Sequence, residues 1–321
     1  MKFILVSDVH ATSKKPVGRK DDILKTFIKK FSFILDYARK HNASIIQAGD
    51  FFHSPRDWFV LESFIGLLKE YDDVRIFSIF GQHDMYMRSK TATNTLSVLD
   101  KIGCVKLLKN KPIKIKNPLN TEKIYIYGCS WGETIPKPYK KGVNILVIHS
   151  SISNREVYPG HDYTSPKYFM RKNKGWDLIV VGDTHRYFTA KTNNTLLVNT
   201  GPLLRLEANE YNMTHKPKIF IYDPSLRKIT NELIVPHKRA RKVLSERVSA
   251  HNKNMESMLK EFTDELKKNM GVDENCLPSG RNGLNSFSFV ENLKSTMKDR
   301  ERINIKTKLI LQQIMEGKNE H

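Results

Sequence analysis

Cysteine is scarce in this chain, and long hydrophobic runs are missing. The 321 residues include only three cysteines, which are widely spaced and form no C-x-x-C pair. A disulfide framework and a cysteine-bound structural zinc are therefore excluded, and we expect a reducing, intracellular compartment. The longest apolar runs, such as residues 178–181, fall far short of the roughly 18 residues that a membrane span requires. Asp8 and His10 interrupt the apolar start before a signal-peptide core forms, so no secretory address is expected.

Acidic residues are also under-represented. The chain has 34 acidic and 54 basic residues, a formal net charge of +20. Residues 1–237 hold 37 basic and 22 acidic residues, a net of +15, and the remainder holds 17 and 12, a net of +5. A basic excess of this size suits a polyanionic partner such as nucleic acid. A solvated, lysine-rich surface is the alternative interpretation.

Apolar spacing predicts a layered α/β domain with sheets at its centre. The length alone favours about two domains. Helices and strands alternate in the first third of the chain, and strands then dominate. Helices are predicted at 22–41 and 57–70, and strands at 2–7, 44–48, 74–79, 122–128, 143–148, 177–181, 195–199 and 217–222.

Composition changes near Pro236, beyond which only three aromatic residues occur. We predict a main domain over 1–236 and a helical tail over 237–321, with a break at 277–283. The tail has an apolar stripe that either packs on the main domain or binds a partner. The stripe consists of Leu244, Val248, Met255, Leu259, Phe262 and Leu266, and a second series of Ile303, Thr307, Ile310 and Ile314.

Metal-ligating side chains follow five of the predicted strands. They are Asp8 and His10, Asp50, Gln82 with His83 and Asp84, His149, and Asp183 with His185. The ends of strands in layered α/β folds are where ligands gather. Carboxylate and imidazole ligands without cysteine suit Mn²⁺, Fe²⁺ or Zn²⁺. A carboxylate shared by two such ions would hold them about 3.5–4 Å apart, the arrangement used in phosphoester hydrolysis. His83 could then protonate the departing alkoxide.

These motifs resemble a known family. The order Asp8-Val9-His10, Gly49-Asp50, Gly81-Gln82-His83-Asp84, His149 and Gly182-Asp183-Thr184-His185 is similar to that of calcineurin-type metallophosphoesterases, over roughly residues 1–235. Within that family, the segment 49–55 (GDFFHSP) resembles the G-D-x-F-H segment of SbcD-type DNA nucleases. Those proteins are the nuclease halves of the SbcCD double-strand-break repair complex and its counterparts, including phage versions.

The resemblance implies an α/β/β/α metallophosphoesterase sandwich with a C-terminal helical extension. It also implies a role for each matching residue. One metal ion would be held by Asp8, His10, Asp50 and His185, and the other by Asp50, Gln82, His149 and Asp183. His83 would be the catalytic acid, and Asp84 would orient it. His53 would handle DNA beside the metals, unless it is only a surface-loop histidine.

The function implied is that of a DNA exo/endonuclease in end processing, recombination and repair. It would use two divalent ions, for which we expect Mn²⁺ with Mg²⁺ as the alternative. DNA, an SbcC-type coiled-coil ATPase and a second copy of the chain would be its partners, in the cytoplasm of a bacterial or phage-infected cell. The alternatives are another calcineurin-like phosphatase or cyclic-nucleotide phosphodiesterase, and a non-catalytic DNA-binding scaffold.

Two residues depart from the family pattern. Gln82 stands where the family usually has Asn, and Asp183 stands where it has His. The glutamine keeps an amide oxygen but adds a methylene, about 1.5 Å of extra reach. The aspartate replaces a neutral nitrogen by an anionic oxygen, which favours the harder Mn²⁺ or Mg²⁺. We interpret the pair as a retuned second metal site, with the crippled scaffold as the alternative.

Overall fold

Twelve strands form the centre of the described part of the protein. The computed structural model describes residues 1–116, 122–139, 141–157 and 162–269. The strands are β1 (Lys2–Val6), β2 (Ala43–Gln47), β3 (Ile76–Ser78), β4 (Lys106–Leu107), β5 (Ile113–Lys116), β6 (Lys123–Cys129), β7 (Val143–His149), β8 (Leu178–Gly182), β9 (Phe188–Lys191), β10 (Leu196–Asn199), β11 (Lys218–Asp223) and β12 (Lys228–Ile234). The α-helices are α1 (Ile23–Lys40), α2 (Trp58–Glu70), α3 (Thr95–Lys101), α4 (Pro166–Lys172), α5 (Glu210–Thr214), α6 (Ala240–Val243) and α7 (Glu246–Asn269).

The strands form two six-stranded mixed sheets. The first has the order β12-β11-β1-β2-β3-β4, and the second has the order β5-β6-β7-β8-β10-β9. The strands β1, β2, β3 and β4 run parallel, as do β6, β7, β8 and β10, while the outer pairs are antiparallel. The carboxyl ends of each parallel set therefore meet along one edge of its sheet.

Alternation along the strands creates the layers. In β1, Phe3 and Leu5 point into the core between the sheets, whereas Ile4 and Val6 face the helices α1 and α2. On the far side of the second sheet, Trp176 is buried together with residues of α4. The layered α/β sandwich predicted from the sequence is confirmed.

Helix α1 shows how local sequence determines these layers. Asp22 caps its first turn by accepting a hydrogen bond from the Lys25 amide at 2.9 Å, and Arg39 and Lys40 complement the dipole of its last turn. Its apolar stripe buries Phe27 and Phe31. Burying two phenylalanines contributes roughly 3–6 kcal/mol, which fixes the helix on the sheet.

The strands and helices predicted from apolar spacing are all present, but several elements were missed. The structure adds β4, β5, β9 and β12, together with four short helices, α3 to α6. Helix α7 covers the apolar stripe of the tail as far as Leu266. Leu244, just before α7, is fully buried in one cluster with Val243 and with Ala208 of the main domain, and Val248 packs on this cluster. The break at 277–283 and the second apolar series lie outside the described residues.

Candidate metal centre

The carboxyl edges of both sheets bring the ligand candidates together. Asp8 and Asp50 lie just beyond β1 and β2, and Gln82 lies in a short 3₁₀ helix after β3. His149 is the last residue of β7, and Asp183 directly follows β8. All but the partly accessible Gln82 and Asp183 are nearly inaccessible to solvent. The strand-end rule therefore predicted that these side chains lie near one another, and the structure brings them together.

Backbone strain is concentrated at these residues. Asp8, His10, Asp50 and Asp183 have φ angles of +46°, +48°, +51° and +98°. A non-glycine residue in this region costs on the order of 1–3 kcal/mol, and such strain persists where the surroundings over-determine it, typically at functional sites. This backbone conformation turns each side chain inward at the place where its strand ends.

The first group of candidate ligands lies close together. Four ligand atoms lie within 4.8 Å of one another, one each from Asp8, His10, Asp50 and His185. His10 Nε2 lies 2.9 Å from His185 Nε2 and 3.7 Å from Asp50 Oδ2. This is the set that the resemblance assigns to one metal ion.

The second group surrounds the other side of Asp50. His149 Nε2 lies 3.3 Å from Asp50 Oδ2 and 3.9 Å from Asp183 Oδ1. Gln82 donates from Nε2 to Asp183 Oδ1 at 2.8 Å, and its Oε1 is buried without a hydrogen-bond partner among the described residues. Asp50 therefore lies between the two groups, where a carboxylate bridging two ions has to lie.

His83 is held differently from the sequence prediction. Its Nδ1 lies 3.1 Å from the main-chain oxygen of His53, so it donates there and Nε2 stays free. Asp84, which was expected to orient His83, instead accepts main-chain hydrogen bonds from Phe51, Phe52 and Gly81 at 2.8–3.1 Å. The orienting prediction for Asp84 is corrected, because this buried carboxylate stabilises the loops beneath the site.

Two glycines allow this close approach. A Cβ on Gly81 would lie 2.1 Å from Asp50 Oδ1, and one on Gly182 would lie 2.1 Å from the Ala48 oxygen. Both distances are well inside van der Waals contact. These positions therefore need glycine so that the ligand loops can pack against each other.

Burial perturbs the acids and bases of the cluster. Burial raises the pKa of Asp8 to about 6, and burial together with the Asp50 charge raises the pKa of Asp84 to about 7. Burial disfavours the charged His149 ring, but the nearby Asp50 outweighs it and raises the pKa of His149 to about 10. Burial and the His185 ring lower the pKa of His10 well below its usual value. Perturbed groups of this kind concentrate at functional sites.

The donor atoms fit divalent ions. Five buried polar atoms of the cluster have no hydrogen-bond partner among the residues that the structure describes: Asp8 Oδ2, His10 Nδ1, Asp50 Oδ2, Gln82 Oε1 and His149 Nε2. Leaving a buried polar group unsatisfied costs about 1–3 kcal/mol, more for a charged one. Cations placed among the Asp8, Asp50 and Asp183 carboxylates would offset both the charge repulsion and the missing partners.

A comparison with protein families agrees with this geometry. The model of the calcineurin-like phosphoesterase family matches residues 1–187, more than half of the chain. This chain belongs to the calcineurin-like phosphoesterase family. It is accordingly a hydrolase that acts on phosphoester bonds, and the Asp and His cluster is its candidate metal centre.

The similar solved structures have low sequence identity to this phosphoesterase. An archaeal phosphodiesterase is 16% identical, with 73% of this chain and 100% of that chain covered and a TM-score of 0.39. NAD nucleotidase of Haemophilus influenzae is 13% identical, with 73% and 56% covered and a TM-score of 0.40. The sulfate thiohydrolase SoxB of Thermus thermophilus is 10% identical, with 78% and 57% covered and a TM-score of 0.41.

No curated protein matches the chain. None of the helices in the described part of this phosphoesterase has the length and apolar character needed to cross a membrane.

One supporting residue was missed by sequence reasoning. Asn199 ends β10, is fully buried, and donates from Nδ2 to the Thr184 oxygen at 2.8 Å. Its Oδ1 accepts from the Gly201 amide at 2.8 Å. It thereby braces the loop that carries Asp183 and His185. The signal was available, because Asn199 is the polar end of a strand that had been predicted.

Proposed function

We propose that this phosphoesterase is a DNA exo/endonuclease subunit that hydrolyses phosphodiester bonds with two divalent ions, Mn²⁺ by preference. The observation that carries the proposal is a cationic and aromatic loop beside the cluster. The rim loop, residues 85–94, directly follows Asp84. Arg56 lies over the Tyr86 ring at 3.5 Å, and Arg88 lies over the Trp131 ring at 5.3 Å.

The rim loop is held by hydrogen bonds and is exposed at its tip. Buried Asn94 accepts from the Tyr86 amide at 2.9 Å and donates to the Ser89 oxygen at 3.1 Å. Met87 and Arg88 have φ angles of +51° and +57°, and Met87 is 82% exposed. Arginines stacked on aromatic rings are the groups that bind nucleic-acid strands through phosphates and bases. Together with the net charge of +15 on residues 1–237, this loop supports a polynucleotide substrate over a small one.

The chemistry follows from the arrangement of the cluster. Two divalent ions supply Lewis acidity and an activated water for phosphoester hydrolysis. The chain would hold them with Asp8, His10, Asp50 and His185 on one side, and with Asp50, Gln82, His149 and Asp183 on the other. His83 would donate the proton from Nε2 to the departing alkoxide, because its Nδ1 is held by the His53 carbonyl. His53, whose ring is stacked on His83 at 5.3 Å, would contact the DNA strand beside the cleaved bond.

The partners proposed for the tail are an SbcC-type ATPase and, through the whole subunit, a second copy of the chain. Helix α7 begins at Glu246 and has a strongly polar composition with spaced apolar residues. A helix of this kind suits a partner groove. Because Val248 packs against the main domain and Asn252 donates to the Ala208 oxygen at 3.2 Å, the partner surface would begin after Asn252.

The proposal is tested with end-labelled linear duplex DNA and Mn²⁺, with and without EDTA, beside bis(p-nitrophenyl) phosphate as the small diester. We expect EDTA-sensitive cleavage of DNA that falls steeply with salt. Arg56→Ala with Arg88→Ala should lower DNA cleavage on the order of tenfold more than hydrolysis of the small diester. Arg75→Ala, at the opposite end of the sheet, is the control. Hydrolysis of the small diester without DNA cleavage would favour the phosphodiesterase alternative.

A further inference from the structure

A second cluster of metal-binding side chains lies at the mouth of the centre. Three ligand atoms lie within 4.8 Å of one another, one each from His10, His53 and His83. The ring centroids form a nearly even triangle, with His10 5.6 Å from His53 and 5.0 Å from His83, and those two 5.3 Å apart. No carboxylate belongs to this set, which distinguishes it from the sets that surround Asp50.

The main chain holds this triangle in place. The His53 amide donates to the Ala11 oxygen at 3.0 Å, next to His10, and Ala11 and Phe52 form an isolated bridge. The His83 Nδ1 donates to the His53 oxygen, so the free Nε2 carries the lone pair that a metal needs. Three loops, after β1, β2 and β3, are thereby fixed relative to one another. Neither His53 nor His83 is buried, so an ion can reach both rings from solvent.

We propose that His10, His53 and His83 form a third metal site, selective for Zn²⁺ and similar nitrogen-preferring ions, that competes with the first metal of the centre. Three imidazoles with an open fourth position are a common Zn²⁺ coordination, whereas Mn²⁺ and Mg²⁺ favour oxygen ligands. Tetrahedral coordination at about 2.0–2.1 Å needs the nitrogens closer than 4.8 Å. Rotation of the accessible His53 ring supplies that approach while His83 keeps the hydrogen bond of its Nδ1.

His10 couples the two kinds of occupancy, because its imidazole ring belongs both to the triangle and to the set of Asp8, Asp50 and His185. We expect a Zn²⁺ ion in the triangle to compete with the first metal for this ring. It would also take the free nitrogen of His83. The inhibition that follows rests on the proposed function, in which His83 is the acid. The binding of Zn²⁺ to the triangle does not depend on the proposed function.

The experiment measures metal binding without turnover. Protein loaded with two equivalents of Mn²⁺ is titrated with Zn²⁺, and released Mn²⁺ is followed by its electron paramagnetic resonance signal. We expect the first Zn²⁺ to release one Mn²⁺. Co²⁺ in place of Zn²⁺ should give the intense visible bands of a tetrahedral, nitrogen-bound ion.

The variants decide between the triangle and direct entry into the carboxylate sets. His53→Ala and His53→Asn should still load two Mn²⁺, which also shows that they fold, but should bind Zn²⁺ on the order of a hundredfold more weakly and lose the Co²⁺ bands. His251→Ala, an exposed histidine of α7, should behave as wild type. If both His53 variants bind Zn²⁺ as the wild type does, the third site does not exist. A protein without nuclease activity would leave this result unaffected.

Discussion

At the scale of single residues, the identity of the cluster was predictable but its conformation was not. Asp8, Asp50, His149 and Asp183 were found because each follows an apolar run at a strand end. The left-handed backbone of three of them was not predictable, because only tertiary contacts over-determine such a conformation. The same holds for Asp84, two of whose main-chain partners, Phe51 and Phe52, lie in a loop 33 and 32 residues away.

The two departures from the family pattern form one contact, because Gln82 donates to Asp183. Asp183→His should shift metal preference from Mn²⁺ toward softer ions, since a neutral nitrogen replaces an anionic oxygen. Gln82→Asn should be neutral or mildly activating. Metal content and steady-state rates with Mn²⁺, Co²⁺ and Zn²⁺ measure both effects. An inactive parent protein rescued by the double change would favour the scaffold alternative.

At the scale of elements, burial separates what the sequence predicted from what it missed. The buried strands β1, β2, β7 and β8 consist mainly of apolar residues, which makes them easy to locate. The missed strands are short or lie at the edges of the sheets. In β5, for example, lysines alternate with isoleucines, and β12 is mostly exposed. Edge strands carry such charges to prevent pairing with other chains, so they resemble loops in sequence.

The junction between β3 and its ligand loop gives an element-scale prediction. Gly81→Ala should lower the free energy of unfolding by roughly 1–3 kcal/mol and reduce bound metal, because its methyl group would overlap Asp50. Gly66→Ala is the matched control, since a Cβ there meets no atom within 4 Å in helix α2. In the control, the free energy of unfolding should rise by about 0.5–1 kcal/mol. Denaturant unfolding and metal analysis measure both, and equal behaviour of the two variants would refute the crowding argument.

At the scale of the whole molecule, the start of the tail is part of the main domain. Lys20 donates from its amide to the Val243 oxygen at 2.9 Å, and the Ser245 amide donates to Gly18 at 2.9 Å. Leu244→Ala should therefore destabilise the protein by about 2–5 kcal/mol. Leu226→Ala, at a site 55% exposed, should change stability by less than about 0.5 kcal/mol. Thermal unfolding distinguishes them, and a harmless Leu244→Ala would mean that the whole tail is a partner element.

The buried His215 should make stability depend on pH. Burial lowers the pKa of His215 to about 4, and its Nε2 donates to the Pro202 oxygen at 3.0 Å. The unfolded chain, with the ordinary value of 6.5, binds this proton first, so stability falls as pH drops from 6.5 toward 4. Over this pH range the free energy of unfolding should fall by about 3 kcal/mol in total. His215→Gln keeps a donor without titrating, and its unfolding free energy should depend less steeply on pH. If the unfolding free energy of His215→Gln depends on pH as steeply as that of the wild type, the assignment to His215 is contradicted.

The central proposal is that Asp50 would be a ligand shared by two divalent ions, and metal content tests it most directly. Asp50→Asn should lose most bound Mn²⁺ together with phosphodiester hydrolysis, because a shared anionic ligand becomes neutral. His83→Ala is the matched comparison and should retain two equivalents while losing cleavage, because it removes an acid and no ligand of either ion. Metal analysis after gel filtration should thus separate the two variants. Two equivalents of Mn²⁺ retained by Asp50→Asn would contradict the account.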